Sequence, residues 1–79
     1  MQTKYKRHQK VKLLLDANPE YVEYDPELDE EKPPITKGMT GRINVLLPNG
    51  QYHVEIIDEK TNRTIAYALM DEEYLEAVD

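Results

Sequence analysis

Apolar and polar positions alternate with a period of two over several short stretches of this chain, and a helical period is nowhere sustained. In Gln9 to Leu15, Val11, Leu13 and Leu15 alternate with Lys10, Lys12 and Leu14, which predicts a first strand with one apolar face. Helix is the competing reading for so short a segment, since Lys and Leu permit it, and the Asp16-Ala17-Asn18-Pro19 that follows ends either element. Arg42 to Leu47 and Gln51 to Ile57 are two further alternating runs, separated by Pro48-Asn49-Gly50. Asn-Gly between such runs is a strong hairpin signal. A two-residue Asn49-Gly50 turn pairs Leu47 with Tyr52, Val45 with Val54 and Ile43 with Ile56, leaving one face wholly apolar. The opposite face then pairs Leu46 with His53, Asn44 with Glu55 and Arg42 with Ile57. Pro48 fits better at the first central position of a type I turn, and that alternative shifts the pairing by one, setting Val45 beside His53. A one-residue slip mixes the two faces, so the two-residue register is the expected one. Gly38 and Gly41 flank Met39-Thr40 in a tight turn that leads into the hairpin.

Beyond the polar turn Asp58 to Arg63, Thr64 to Met70 reads as another strand. Its Ile65, Tyr67 and Leu69 form one face, with the small Ala66 and Ala68 on the other. Asp71-Glu72-Glu73-Tyr74 has the character of one helical turn, with acids where backbone N–H groups favour them. Leu75 to Val78 supplies a short closing strand, and no internal repeat stands out.

Between the first two strands lies Asp16 to Lys37, a segment without periodicity. It carries Pro19, Pro26, Pro33 and Pro34 and eight acids, Asp16, Glu20, Glu23, Asp25, Glu27, Asp29, Glu30 and Glu31. A connection this long inside a compact domain is either functional or disordered. Tyr21 and Tyr24 give its first half an anchor, so that half is expected to be ordered and the Asp29–Pro34 tip mobile.

The expected fold class is therefore all-β: five strands, a long acidic loop (16–37) between strands 1 and 2, and one helical turn before the last strand. Lys37-Gly38-Met39-Thr40-Gly41-Arg42-Ile43, Pro48-Asn49-Gly50-Gln51-Tyr52-His53-Val54-Glu55-Ile56 and Asp71-Glu72-Glu73-Tyr74-Leu75-Glu76-Ala77-Val78 together resemble SH3-like barrels of the KOW and nitrile-hydratase-β type. The likeness is closest to small domains of that group encoded by bacteria, phages and mobile elements. It implies a five-stranded SH3-like barrel over residues 9–79, preceded by a basic N-terminal arm, 1–8. These motifs belong to the fold and leave function open. Nucleic-acid-binding KOW domains are generally basic, whereas this body is acidic. The Pro-peptide groove of true SH3 domains uses Trp, which the chain lacks.

Charge sharpens the picture. The net value is −6, yet residues 1–12 carry Lys4, Lys6, Arg7, Lys10 and Lys12 and no acid, so residues 13–79 hold −11. An acidic body repels phosphates. The basic arm either contacts a phosphate backbone through Lys4, Lys6, Arg7 and Lys10 or neutralises the chain's own acidic loop. The second reading is the expected one.

Seventy-nine residues allow one modest core. With no Cys, disulfides and thiolate metal sites are excluded. No run approaches the roughly 18 to 20 apolar residues of a membrane span, so a cytoplasmic protein is expected. Catalysis finds little support, since Ser and Cys are absent and no Gly-rich phosphate loop occurs. His8 and His53 are too few for a histidine-based metal site. The alternation Asp25, Glu27, Asp29, Glu31 lacks the central glycine of a calcium loop, Glu30 standing in its place, and has Thr36 where the last acid belongs. The expectation is a non-enzymatic module without cofactor, of phage or mobile-element accessory type as the resemblance implies, that acts through its acidic surface to bind or inhibit a protein partner with a basic surface. Tyr21, Tyr24, Asp25, Glu27, Asp29, Glu30 and Glu31 are the candidate contacts. Alternatives are nucleic-acid association through the basic arm, or a place as a subunit of a larger assembly.

Overall fold

A computed structural model describes residues 4–28 and 32–78. The chain is all-β, as the two-residue periodicity dictates. Its strands are β1 (Lys10–Leu13), β2 (Val22–Tyr24), β3 (Thr40–Leu46), β4 (Gln51–Asp58), β5 (Arg63–Asp71) and β6 (Leu75–Ala77). They form one antiparallel sheet in the order β2-β5-β4-β3-β1-β6. The expected five-stranded barrel is thus an open sheet of six strands. The sixth is β2, which the acidic loop lays along β5, pairing Val22 with Ala68 and Tyr24 with Ala66. Three residues between two prolines are too few to show a period, which is why the sequence hides this strand.

One face of the sheet is dry. Val11, Leu13, Ile43, Tyr52, Val54, Ile56, Ala66 and Ala68 lie there fully buried, joined by Met70 and Leu75. Each large aliphatic side chain removed from water contributes about 1.5–3 kcal/mol. In β5 the inward face is the small one, Ala66, Ala68 and Met70, while Tyr67 and Leu69 turn partly outward. Two alanines let β5 approach the packed interior, and the larger residues cover the outside.

The hairpin departs from the expected register. Leu46 pairs with Tyr52 and Val45 with His53, then the pairing shifts by one so that Ile43 meets Val54 and Arg42 meets Glu55. The loop is three residues long, Pro48-Asn49-Gly50, closed by the Leu47 N–H on the Gln51 carbonyl at 3.0 Å. Gly50 takes φ +78°, the left-handed residue that completes a type I turn in a three-residue hairpin loop. Pro48 therefore prevails at the turn. The irregularity at Asn44 then returns Ile43 to the buried face and leaves Val45 and Leu46 exposed at 43% and 39%.

Gly41, expected in a turn, lies inside β3. The turn itself spans Thr36 to Met39, where the Met39 N–H reaches the Thr36 carbonyl. A Cβ on Gly41 would run into the carbonyl oxygen of Glu55 on β4, so this strand position needs glycine.

Lys4–His8 is folded onto the body. Tyr5 is 2% exposed, its ring edge-on to Tyr52 with centroids 5.6 Å apart. The Tyr5 hydroxyl donates to the Leu75 carbonyl at 2.9 Å and its N–H to the Tyr52 hydroxyl at 3.2 Å. His8 donates its N–H to the Ile43 carbonyl at 2.7 Å. Tyr5 therefore connects β4 to β6, strands that are not neighbours in the sheet.

The acidic loop is pinned at intervals. The Ala17 N–H bonds to the Ile35 carbonyl and the Asp25 N–H to the Ile65 carbonyl, each at 2.9 Å. Of the tip expected to be mobile, Asp29, Glu30 and Glu31 lie outside the described residues.

Candidate functional site

Two segments far apart in sequence share a local pattern. Asn18-Pro19-Glu20-Tyr21-Val22-Glu23 and Asp71-Glu72-Glu73-Tyr74-Leu75-Glu76 each place an Asn or Asp before a single 3-10 turn, end that turn on Tyr, and run into a short strand. Asn18 and Asp71 adopt nearly the same extended backbone, φ −72° with ψ 121° and φ −72° with ψ 148°. In each case the residue after the Tyr donates its N–H to the carbonyl of the turn's first residue. Three residues per turn bring positions i and i+3 onto one side, so Asn18 aligns with Tyr21 and Asp71 with Tyr74.

Residues of both turns line one groove of about 240 Å³. Leu15, Asp16, Asn18, Tyr21, Leu69, Asp71 and Tyr74 are among the residues that line it, and the Leu14 N–H bonds to the Tyr74 carbonyl at 2.8 Å. Tyr21 is 55% exposed, the most open large apolar side chain among the described residues. The two carboxylates are each oriented by a single donor. Asp16 accepts the Lys37 N–H at 2.7 Å on Oδ1, and Asp71 accepts the Gln51 side-chain amide at 2.8 Å on Oδ1. Asn18 caps its own turn, accepting the Glu20 N–H at 3.0 Å, whereas Asp71 makes no cap bond. Its side chain is held by Gln51 instead.

In the second turn, Glu72 Oε2 accepts the Tyr52 hydroxyl at 2.6 Å and the Lys4 N–H at 3.3 Å. The Tyr52 hydrogen bond, followed by Lys4, holds the Glu72 carboxyl below its ordinary pKa, although partial desolvation opposes this. Burial first, then Glu72, pushes the Tyr52 hydroxyl above its ordinary value. The Glu72 N–H also reaches the Gly50 carbonyl at 3.0 Å, tying the turn to the hairpin loop.

The residues singled out from the sequence are not gathered at one place. Tyr21 lines the groove. Tyr24 is half-buried against the core with its hydroxyl on the Pro33 carbonyl at 2.7 Å. The Asp25 carboxylate accepts the Glu27 N–H at 2.8 Å, shaping a local turn. Glu27 is exposed, and its carbonyl accepts from Arg63 at 2.6 Å. Asp29, Glu30 and Glu31 lie outside the described residues. The structure adds Asp16, Asp71, Tyr74, Leu15 and Leu69, and the repeated Asx-x-Glu-Tyr is the sequence signal that points to the two turns.

The alternative phosphate contacts differ in their surroundings. Lys4 lies over the Tyr5 ring, 5.4 Å from its centre, Lys6 and Arg7 are exposed, and Lys10 pairs with Glu59 at 3.4 Å. Thr40 first, then Lys10, holds the Glu59 carboxyl low. Lys12 pairs with Glu76 at 3.9 Å. Neither Glu59 nor Glu76 belongs to the loop that the basic segment was expected to neutralise.

On the outward face, register aligns Glu23, Tyr67, Glu55, Arg42 and Lys10 in one row across five strands. The base-bearing end lies on β1 and β3. His53 stacks on Tyr67 with centroids 5.2 Å apart and bonds Asn44 at 2.9 Å. Burial, then Glu55, Asp25 and Glu23, raises the Tyr67 hydroxyl.

Among the described residues no three His, Asp or Glu side chains are placed to hold a metal ion, and no helix is long and apolar enough to cross a membrane. No protein family, no curated protein and no solved structure shows detectable similarity to the chain.

Proposed function

We propose that this chain is a non-enzymatic protein-binding module that receives a basic partner in the groove lined by its two 3-10 turns. The observation that carries this reading is the groove's composition: exposed Tyr21 and Leu15 line it together with Leu69 and Tyr74, with Asp16 and Asp71 among them. Tyr is the side chain that tolerates water yet gains most from being covered by a partner. At about 240 Å³ the space falls below the roughly 300 Å³ at which small-molecule pockets begin. It suits one or two side chains of an approaching segment rather than a cofactor. The body's −11 charge favours a cationic partner and speeds its encounter.

In architecture we read the domain as a relative of SH3-like barrels. Supporting this are a long loop after β1, the β3-β4-β5 meander, a 3-10 turn, and a last strand returning to β1.

A photo-crosslinking amino acid placed at position 21, and in a control at position 45 on the hairpin tip, tests the functional reading in lysate of the source cell. A crosslinked protein specific to position 21, weakened by high salt and by Asp71→Asn, supports it. Equal crosslinking at both positions, or none at 21, refutes it.

A further inference from the structure

We propose that the outward face of the sheet is a contact surface for a second copy of this chain, paired about a two-fold axis that runs along the strands between β3 and β4. Arg42, Val45, His53, Glu55 and Tyr67 are not among the residues that line the groove, so neither reading depends on the other.

Register places the contact residues together. The Cα pairs Lys10–Arg42, Arg42–Glu55, Glu55–Tyr67 and Tyr67–Glu23 form one continuous row. One step towards the hairpin tip, Val45 pairs with His53. The neighbours of the row along each strand, among them Val11, Ile43, Val54, Ile56, Ala66 and Ala68, are buried, so the row itself points away from the core. Lys10, Glu23, Arg42 and Val45 are exposed, and His53, Glu55 and Tyr67 partly so.

The order of charges makes this face complementary to itself. Acids stand on the β2 and β4 side, at Glu23 and Glu55, and bases on the β3 and β1 side, at Arg42 and Lys10. The row is therefore neutral in a chain of net charge −6, and two acidic chains can approach here without the repulsion they meet elsewhere. An axis between β3 and β4 carries Arg42 over Glu55 of the second copy and Glu55 over its Arg42. One strand further out, Lys10 comes over Tyr67 of the second copy, a cation over a ring. One step along the strands, Val45 comes over its His53. Such reciprocal exchange is what a two-fold interface requires.

The surface is also ordered in advance. His53 stacks on Tyr67 with centroids 5.2 Å apart and planes 9° from parallel, and Asn44 bonds its Nδ1 at 2.9 Å, so contact costs these rings little freedom. Arg42 holds Asn62 through one terminal nitrogen at 3.1 Å, and Glu55 accepts the Thr64 hydroxyl on Oε2 at 2.8 Å. Both groups are thus oriented, with Glu55 Oε1 and the remaining guanidinium donors left for the second copy. Four strands span about 15 Å, a smaller contact than a permanent interface uses. The dimer is a weak one that forms at high chain concentration.

Sedimentation equilibrium and ¹⁵N–¹H spectra of the full chain at rising concentration test this. A monomer–dimer equilibrium is expected, with concentration-dependent shifts centred on Arg42, Val45, His53, Glu55 and Tyr67. Arg42→Glu and Glu55→Arg should each weaken self-association about ten-fold or more, since either reversal turns two attractive pairs into repulsive ones. Mixing the two variants should restore the dimer, because every central pair is then again of opposite sign. Labelled Arg42→Glu should accordingly show the interface shifts only when unlabelled Glu55→Arg is added. A defect in folding does not produce that rescue.

A chain that stays monomeric up to about 1 mM overturns the proposal. So do concentration-dependent shifts centred elsewhere, single reversals that leave self-association unchanged, or a mixture of folded variants that associates no better than its components. Shift mapping on the unaltered chain keeps the test decisive if a variant fails to fold.

Discussion

Replacing Tyr5 with Ala probes whether the basic N-terminal segment belongs to the folding unit. Tyr5 is buried to 2% exposure, lies edge-on to Tyr52, and donates its hydroxyl to the Leu75 carbonyl at 2.9 Å. Truncating a large aromatic in a packed interior costs about 3–5 kcal/mol. Within this, the aromatic pair contributes roughly 0.5–1.5 kcal/mol and the hydroxyl bond about 1 kcal/mol. A domain of 79 residues has a total stability of about 4–12 kcal/mol at 0.05–0.15 kcal/mol per residue. The substitution therefore removes a quarter of it at the least and unfolds the chain outright at the lower end. Tyr5→Phe isolates the hydroxyl and should cost about 1 kcal/mol. Urea denaturation followed by far-ultraviolet circular dichroism gives both values from the midpoint at constant m. An exposed arm residue would change stability by no more than about 0.5 kcal/mol. A Tyr5→Ala variant within that margin of the parent chain would refute the placement of Tyr5 in the core.

Other expectations follow from single contacts. Gly41→Ala drives a methyl into the Glu55 carbonyl and should cost about 1–3 kcal/mol in a thermal melt. Gly50→Ala puts a Cβ at φ +78°, costing about 1–2 kcal/mol, with loss of the hairpin-tip amide dispersion as a local readout. Because the Glu72 carboxyl titrates below its ordinary value in the folded state, its stabilisation is complete above the unfolded pKa and is lost as pH falls through the folded one. The acid limb of the stability profile should therefore flatten in Glu72→Gln, and an unchanged limb would exclude the Tyr52–Glu72 bond. Tyr52 has the opposite sign. Its folded pKa is raised, so its contribution is complete below the unfolded pKa near 10 and is lost as pH rises through the folded one. Tyr52→Phe should flatten that alkaline limb.

Much of the sheet could be read from local pattern, and the exceptions have identifiable causes. β1, β4, β5 and the last turn and strand follow from alternation that a local window contains. The hairpin register does not, because two local preferences conflict: Asn49-Gly50 favours a two-residue turn and Pro48 a longer one. The irregularity at Asn44 reconciles Pro48's choice with burial of Ile43, and only packing against β4 could select it. β2 is invisible to periodicity because its three residues become a strand only by pairing with β5. Of the candidate contacts, Tyr21 is exposed and lines the groove. Tyr24 and Asp25 each make a hydrogen bond within the loop. Asp71 and Tyr74 read in sequence only as part of one helical turn before the last strand. Its relation to Asn18-Tyr21 is one of space, which a linear reading does not contain.

By itself the sequence determined that this chain is all-β, that it cannot use disulfides, and that its charge is divided between a basic start and an acidic remainder. These follow from alternation, from the absence of Cys, and from counting, none of which needs a distance. Tertiary structure decided the rest. Tyr5, surrounded by lysines in the chain, is drawn into the core because β4 and β6 present a ring and a carbonyl to it together. Lys10 meets Glu59 rather than the acidic loop because the β4–β5 turn folds towards β1. The groove exists because two turns fifty-three residues apart, at Asn18 and Asp71, come to line the same space. Local rules shape each turn, but only closure of the long connection around the sheet decides what lies beside it.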